Sequence, residues 1–437
     1  MANRATWSGT FGFVVTSIGA AIGLGNIWLF PWRLGRYGGA AFLLVYLFFV
    51  FVIARIGLMG EFGLGRSQKK GSIGAFETIY RKKNISFGAW IGGLPVIAQA
   101  GVFIFYSIVA GWVIRYCVLA VTGSFTNADI PALFQNLAAH PASIPWHAAA
   151  VAITAVIVIL GITGGIETVN KIIMPALFVM FFILLIRSLF LPDAMKGVRY
   201  LLIPDWTCLY SIETYVTALG QAFFTVSLGG AGMVVLGSYL KDDVAVPSVA
   251  MHTVVFDTLI ALCAAFIILP AVFSFGFDPA AGPPLLFITL PKIFTMMPGG
   301  GFFGFLFFLG VLFAAISTEI ILLEVMVEAV TERTPLKRTV SAVILAVAAF
   351  LIGLPMDTNE HFFHLFVNIV TIYLIPFGAV LAAVTFFWVY GIDNAFAEIN
   401  KAVERPLGSG WKIVAKYVFV GVSIMVLVLG IVYGGIG

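Results

Sequence analysis

Two glycine-rich interruptions sit inside apolar stretches long enough to cross a bilayer, and they constrain this chain more than any other feature. The first is "GAAIGLGNIWLFPW", from Gly19 to Trp32, and the second is "FFTVSLGGAGMVVLGSYL", from Phe223 to Leu240. Lipid offers no water to the backbone, so non-helical chain at membrane depth persists only where protein, water or a ligand satisfies the freed N–H and C=O groups. A glycine-rich break in one such helix reads most simply as close helix packing. A matched pair in corresponding positions of two halves instead points to a transporter with its site near the midplane. Freed carbonyls can ligate a cation and freed amides can hold an anion. Asn26, Thr225 and Ser227 flank the breaks and add hard oxygen ligands. A zwitterionic solute would fit beside such an ion.

The rest of the chain agrees with a membrane setting. Of 437 residues, 61% are hydrophobic and only 10% are charged, which excludes an ordinary soluble domain. About eleven segments of spanning length begin near Phe11, Ala40, Phe87, Ile144, Lys171, Ile212, Val246, Gly300, Thr339, His361 and Ile413. The predicted fold is an all-α polytopic membrane protein, a single transmembrane domain over 1–437. The breaks fall in the first and sixth spans, which gives repeat one at about 8–192, repeat two at about 210–391 and an extra helix at about 411–435. Arg4 precedes the first span with no short cleavable segment before it, so no removable signal peptide is expected. Most of the 24 Lys and Arg fall on one side if the N-terminus is cytoplasmic. An odd number of spans then places the C-terminus outside.

The net charge of +4 is therefore a topology signal and gives no reason to expect nucleic acid. Cys117, Cys208 and Cys263 are scattered and suggest neither a metal cluster nor a disulfide. No nucleotide loop or nucleophile–base pair is visible, and His140, His147, His252, His361 and His364 read as loop or helix-end residues. Enzymatic activity is not expected.

The polar residues inside the spans carry the chemistry. Asp257 lies within span seven, where a carboxylate costs on the order of 3 kcal/mol, so it reads as functional, holding sodium or a proton. Pairing with Arg55 is the structural alternative. Ser317, Thr318 and Glu319 are consecutive in span eight. A hydroxyl in a helix often only bonds back to the preceding turn, but two beside a buried carboxylate suggest a site. Glu319, and Glu61 in span two, are candidates either for function or for bridging helices. Tyr106 in span three suits either a site or an interface.

Assembled, the segments "GLGNIWLFP", "GGAAFLLVY" with "EFGLGR", "GIETVNKIIMPALF", "GQAFFTVSLG" with "GSY", "DTLIALCAAFIILPAVFSFG" and "FFWVYGIDNAFAEIN" run over nearly the whole chain. It resembles the neurotransmitter:sodium symporter family in its bacterial eleven-span form, related to the bacterial leucine and tyrosine/tryptophan transporters. The resemblance implies two inverted five-helix repeats with unwound first and sixth helices, in a bacterial inner membrane. It implies sodium-coupled symport by alternating access, with sodium ions, two by the family pattern, as the co-transported species.

By the same resemblance, the first sodium would meet Ala21, Asn26, Thr225 and Asp257. The second would meet Gly19, Ile22, Ala314, Ser317 and Thr318. The substrate carboxylate would meet the amides of Leu24 and Gly25 and the hydroxyl of Tyr106. Its amine would meet carbonyls of Ala21, Phe224 and Ser227. Val102, Phe224, Gly230, Thr318, Glu319 and Leu322 would surround its side chain. Gly23 occupies the place of an aspartate in monoamine carriers, which implies an amino-acid-like substrate with its own acid group. Asp257 would supply covalently the negative charge that chloride supplies in animal members, so chloride is not expected. An inner gate would pair Arg4 with Glu332, beside Trp7, Ser238 and Tyr239.

The sequence also departs from the family. Leu29 replaces the usual gate arginine, and the partner aspartate on span ten falls at Val367 or Asn368. Arg33, with Asp357 or Glu360, is a candidate replacement. Gly230 replaces a bulky aromatic and would free volume, and Glu319 would bring a carboxylate to the substrate. The alternatives to sodium symport are a proton-coupled or exchange carrier of amino acids or amino sulfonates, and a non-transporting sensor of the same fold.

Overall fold

The computed structural model describes residues 6–125, 128–278 and 285–435. Among them the regular elements are all helical. Among the described residues, nine helices are long and apolar enough to cross a membrane unbroken. The two remaining expected spans are the interrupted ones, which explains the difference from eleven. Span one is a bent pair, Thr10–Ala21 and Gly25–Arg36, with 54° between its halves. Span six consists of Ile212–Thr225 and Gly232–Ser238, neither long enough alone.

The packing places the breaks at the centre. Span three (Gly88–Val121) and span eight (Gly300–Arg333) are the most enclosed, with 78% and 72% of their most apolar stretch buried, against 33% for span eleven (Gly410–Tyr433). Spans three and eight also pack extensively on each other. Span two (Ala40–Gln68) lies against the second half of span six, and span seven (Val246–Ser274) against both halves of span one. Span four (Pro141–Ile159), span five (Ile162–Leu189), span nine (Arg338–Thr358) and span ten (Glu360–Val389) complete the bundle.

The chain leaves the helix at each break for local reasons. After Ala21, Ile22 turns to extended backbone (φ −69°, ψ 110°). In span six Ser227 takes φ +57° and Gly230 φ +79°, a left-handed region that disfavours side chains. The resulting orphan amides are covered. Glu61 of span two accepts from the N–H of Gly229 (3.1 Å) and of Gly230 (2.8 Å). Ser72 donates to the Gly230 carbonyl at 3.0 Å. Glu61 thus bridges helices by capping a break, one of the two roles its position in the sequence allowed.

Candidate functional site

The side chains at the two breaks converge. Asn26, Thr225 and Asp257 are buried together: Thr225 Oγ1 donates to Asp257 Oδ2 at 2.8 Å, and Asn26 Nδ2 donates to Asp257 Oδ1 at 2.7 Å. Asn26 Nδ2 also reaches Thr225 Oγ1 at 2.9 Å, while Asn26 Oδ1 accepts from the Gly23 amide at 3.0 Å. Arg55, the expected structural alternative, instead points to Met251 Sδ at 3.8 Å. Asp257 therefore keeps its carboxylate among neutral oxygen and amide groups. The Asp257 carboxylate and the Thr225 hydroxyl are hard oxygen donors of the kind that suits a hard cation.

A second set lies where span eight meets span one. Thr318 Oγ1 donates to the carbonyls of Ile22 (3.2 Å) and Ala314 (3.3 Å). Ser317 Oγ lies against Gly19 so closely that a Cβ added there would stand 2.1 Å from it. Gly19, Ile22, Ala314, Ser317 and Thr318 are thus brought together, with hydroxyl and carbonyl oxygens among them.

Between the two sets lies a narrow cavity, lined by residues from both breaks and from spans three, eight and ten. Ala21, Leu24, Gly25 and Asn26 line one wall, with Val102 and Tyr106 of span three opposite. Phe224, Thr225, Ser227 and Leu228 come from the break in span six, and Thr318 and Leu322 from span eight. The Leu24 amide donates to Tyr106 Oη at 2.9 Å, so a donor and a hydroxyl face the cavity together. Ser227 is tied to span one through the Ala20 carbonyl, 2.8 Å from its Oγ.

Gln99, Thr371 and Ile375 also line the cavity, and sequence reasoning missed all three. Gln99 had a readable signal: it precedes Val102 and Tyr106 by one and two helical turns on the same face. Thr371 and Ile375 had none, because span ten carries no charge at this depth.

Two expected pocket residues stand elsewhere. Glu319 is fully buried but turned to span four, where its Oε2 accepts from Thr154 at 2.7 Å. Successive helix positions differ by roughly 100°, so Thr318 facing the cavity carries Glu319 away from it. Gly230 frees no volume beside the substrate. A Cβ there would stand 2.3 Å from the Gly378 carbonyl, so glycine is required for the close approach of two backbones.

Among the expected gate residues, Arg33 pairs differently. Arg4 lies outside the described residues. Glu332 packs against Gly74, and Tyr239 Oη donates to Glu324 at 2.8 Å while its ring meets Trp7 edge-on. Trp7 donates to the Leu236 carbonyl at 3.2 Å, tying the start of span one to span six. Leu29, Val367 and Asn368 line one vestibule that shares Leu24, Tyr106 and Phe224 with the cavity. Arg33 is buried and donates to Gln221, not to Asp357 or Glu360. Glu360 faces His364 at 3.5 Å.

Asp357 is occupied by His147, whose Nδ1 is 2.7 Å from Asp357 Oδ2. His147 is near a helix end as expected, but it is completely buried, with Ser107 3.1 Å from its Nε2. The order Ser107–His147–Asp357 has the outline of a hydrolytic chain. All three side chains are buried, however, and the Ser107 hydroxyl donates to the Ile104 carbonyl at 3.0 Å, so these groups bind spans three, four and nine together.

Comparison with known proteins agrees with this geometry. The profile of the Sodium:neurotransmitter symporter family matches residues 4–136 and 124–434. An uncharacterised sodium-dependent transporter of Bacillus subtilis, YhdH, is 37% identical over 355 residues, covering 80% of this chain and 77% of its own length. An uncharacterised sodium-dependent transporter of Haemophilus influenzae is 33% identical over 363 residues, covering 80% and 79%. The crystal structure of MhsT in complex with L-phenylalanine superposes with a TM-score of 0.87 at 32% identity, covering 98% of this chain and 100% of that one. The fold and family are those of transporters and not enzymes. This integral membrane protein is a sodium-dependent transporter and belongs to the sodium:neurotransmitter symporter family.

Proposed function

We propose that the chain imports a neutral, apolar amino acid by symport with two sodium ions, without chloride. The observation that carries this reading is Asp257, a buried carboxylate at the junction of two broken helices whose hydrogen-bond partners, Asn26 and Thr225, are both neutral. A cation beside it would balance that charge. Ala21, Asn26, Thr225 and Asp257 hold the first sodium, and Gly19, Ile22, Ala314, Ser317 and Thr318 the second.

The substrate carboxylate meets the Leu24 and Gly25 amides, Tyr106 and the first sodium. Its amine meets the carbonyls of Ala21, Phe224 and Ser227. Val102, Leu228, Leu322 and Ile375 give the cavity an apolar wall. With Glu319 turned to Thr154, no carboxylate faces the substrate side chain, which favours an uncharged one. The phenylalanine bound to MhsT supports the same class.

The chain alternates access by moving around this site as two repeats, about 8–192 and about 210–391, with the helix at about 411–435 outside them. Its N-terminus is cytoplasmic and its last span ends outside. The inner gate is closed by the packing of Trp7 and Tyr239, with Arg4 and Glu332 as its ionic pair. The outer gate uses Arg33 and Gln221 in place of an ion pair.

The test is a thermal-shift panel of amino acids and amino sulfonates on the purified protein, in sodium and in potassium. At least one apolar amino acid should raise the melting temperature in sodium only; no sodium-dependent ligand in the panel would contradict the reading. A second expectation concerns Gly23, where an added Cβ would stand 2.8 Å from Tyr106 Oη. Gly23→Asp should weaken amino-acid binding roughly a hundredfold or more, since it crowds Tyr106 and sets a like charge against the substrate carboxylate. Equilibrium binding of the ligand found in the panel measures it.

A further inference from the structure

A serine hydroxyl can offer its lone pairs to a cation only if its proton goes to another acceptor. In a membrane helix that acceptor is usually a carbonyl of the preceding turn. Ser317 behaves differently: its Oγ–H donates to Oδ1 of Asn170 on span five. Both residues are completely buried. Asn170 cannot easily turn away, because its Nδ2 donates to the Ile166 carbonyl at 2.9 Å. That second bond fixes which end of the amide faces Ser317. Asn170 Oδ1 would also stand 2.4 Å from a Cβ added to Gly19. The acceptor therefore sits at the junction of span one, span five and span eight, beside the set Gly19, Ile22, Ala314, Ser317 and Thr318.

We infer that Asn170 is a positioning residue for sodium: by taking the Ser317 proton, it aims the Ser317 oxygen at the ion. The inference rests on the sodium-coupled reading of this second oxygen set. Outer partners of metal ligands typically contribute tenfold to a hundredfold to metal affinity. Removing this one should weaken sodium binding by about the lower figure, with no direct loss of a contact to the amino acid.

The test is a sodium titration of the melting temperature of the full-length purified protein, with choline replacing sodium and no amino acid present. Asn170→Leu and Asn170→Ala should each raise the sodium midpoint about tenfold. In a Ser317→Ala background, Asn170→Leu should cause no further change, because the two residues act through one hydroxyl. A wild-type midpoint in both Asn170→Leu and Asn170→Ala overturns the inference, as does a full further shift in the double variant. If Asn170→Leu fails to fold, Asn170→Ala decides. A wild-type protein with no sodium-dependent shift overturns the sodium-coupled reading itself, and this inference with it.

Discussion

Asp257→Ser should abolish sodium-driven amino-acid uptake in chloride-free medium and recover part of it when chloride is supplied. In the folded protein the Asp257 carboxylate is buried with Thr225 and Asn26 directed at its oxygens. A sodium ion beside it would be balanced by a formal negative charge held at fixed distance. Breaking a buried pair by removing one partner typically costs 3–5 kcal/mol, so sodium affinity at this set should fall by about 10²- to several-thousand-fold. Serine leaves space that a mobile anion can fill, and chloride is the abundant candidate. Uptake measured with gluconate or chloride as the anion reads both effects. Full uptake by the serine variant in both media would show that Asp257 does not set the charge balance.

The other large effect is expected at Glu61. Its carboxylate alone covers the N–H groups of Gly229 and Gly230, which the break in span six leaves without helical partners. Glu61→Leu would strand two buried donors, at about 1–3 kcal/mol each. Span six should lose its fixed break, and the detergent-solubilised protein should melt well below wild type and bind no amino acid. Glu61→Gln keeps an acceptor oxygen of the same reach and should retain a fold, with a smaller loss. A Glu61→Leu protein that melts at the wild-type temperature would mean that other groups satisfy the break.

Residues that had to be polar in an apolar environment were legible in the sequence. Asn26, Thr225, Asp257, Ser317 and Thr318 stand out because lipid penalises each of them, and the two glycine-rich breaks explain how they could be satisfied. The direction of a polar side chain was less legible. Glu319 neighbours Thr318 in sequence, but the helical turn between them sends one to the cavity and the other to Thr154. Backbone approach was not legible at all. Gly230 suggested extra volume, whereas its real constraint is the Gly378 carbonyl on span ten.

Pairings between distant spans were also out of reach. Nothing in the sequence links His147 to Asp357 or Arg33 to Gln221, because each bond joins residues on spans that meet only when the bundle forms. For the same reason Asn170 passed unremarked within "GIETVNKIIMPALF": its acceptor oxygen gains meaning only when span five lies against Ser317.

The decisive measurement is uptake of radiolabelled amino acids and amino sulfonates by the purified protein in liposomes, with an imposed inward sodium gradient and gluconate as the only anion. Accumulation of at least one apolar amino acid above its external concentration, abolished when potassium replaces sodium, is the expected result. Uptake that proceeds equally without sodium, or only when chloride is present, would contradict sodium-coupled, chloride-independent import through the Asp257 site.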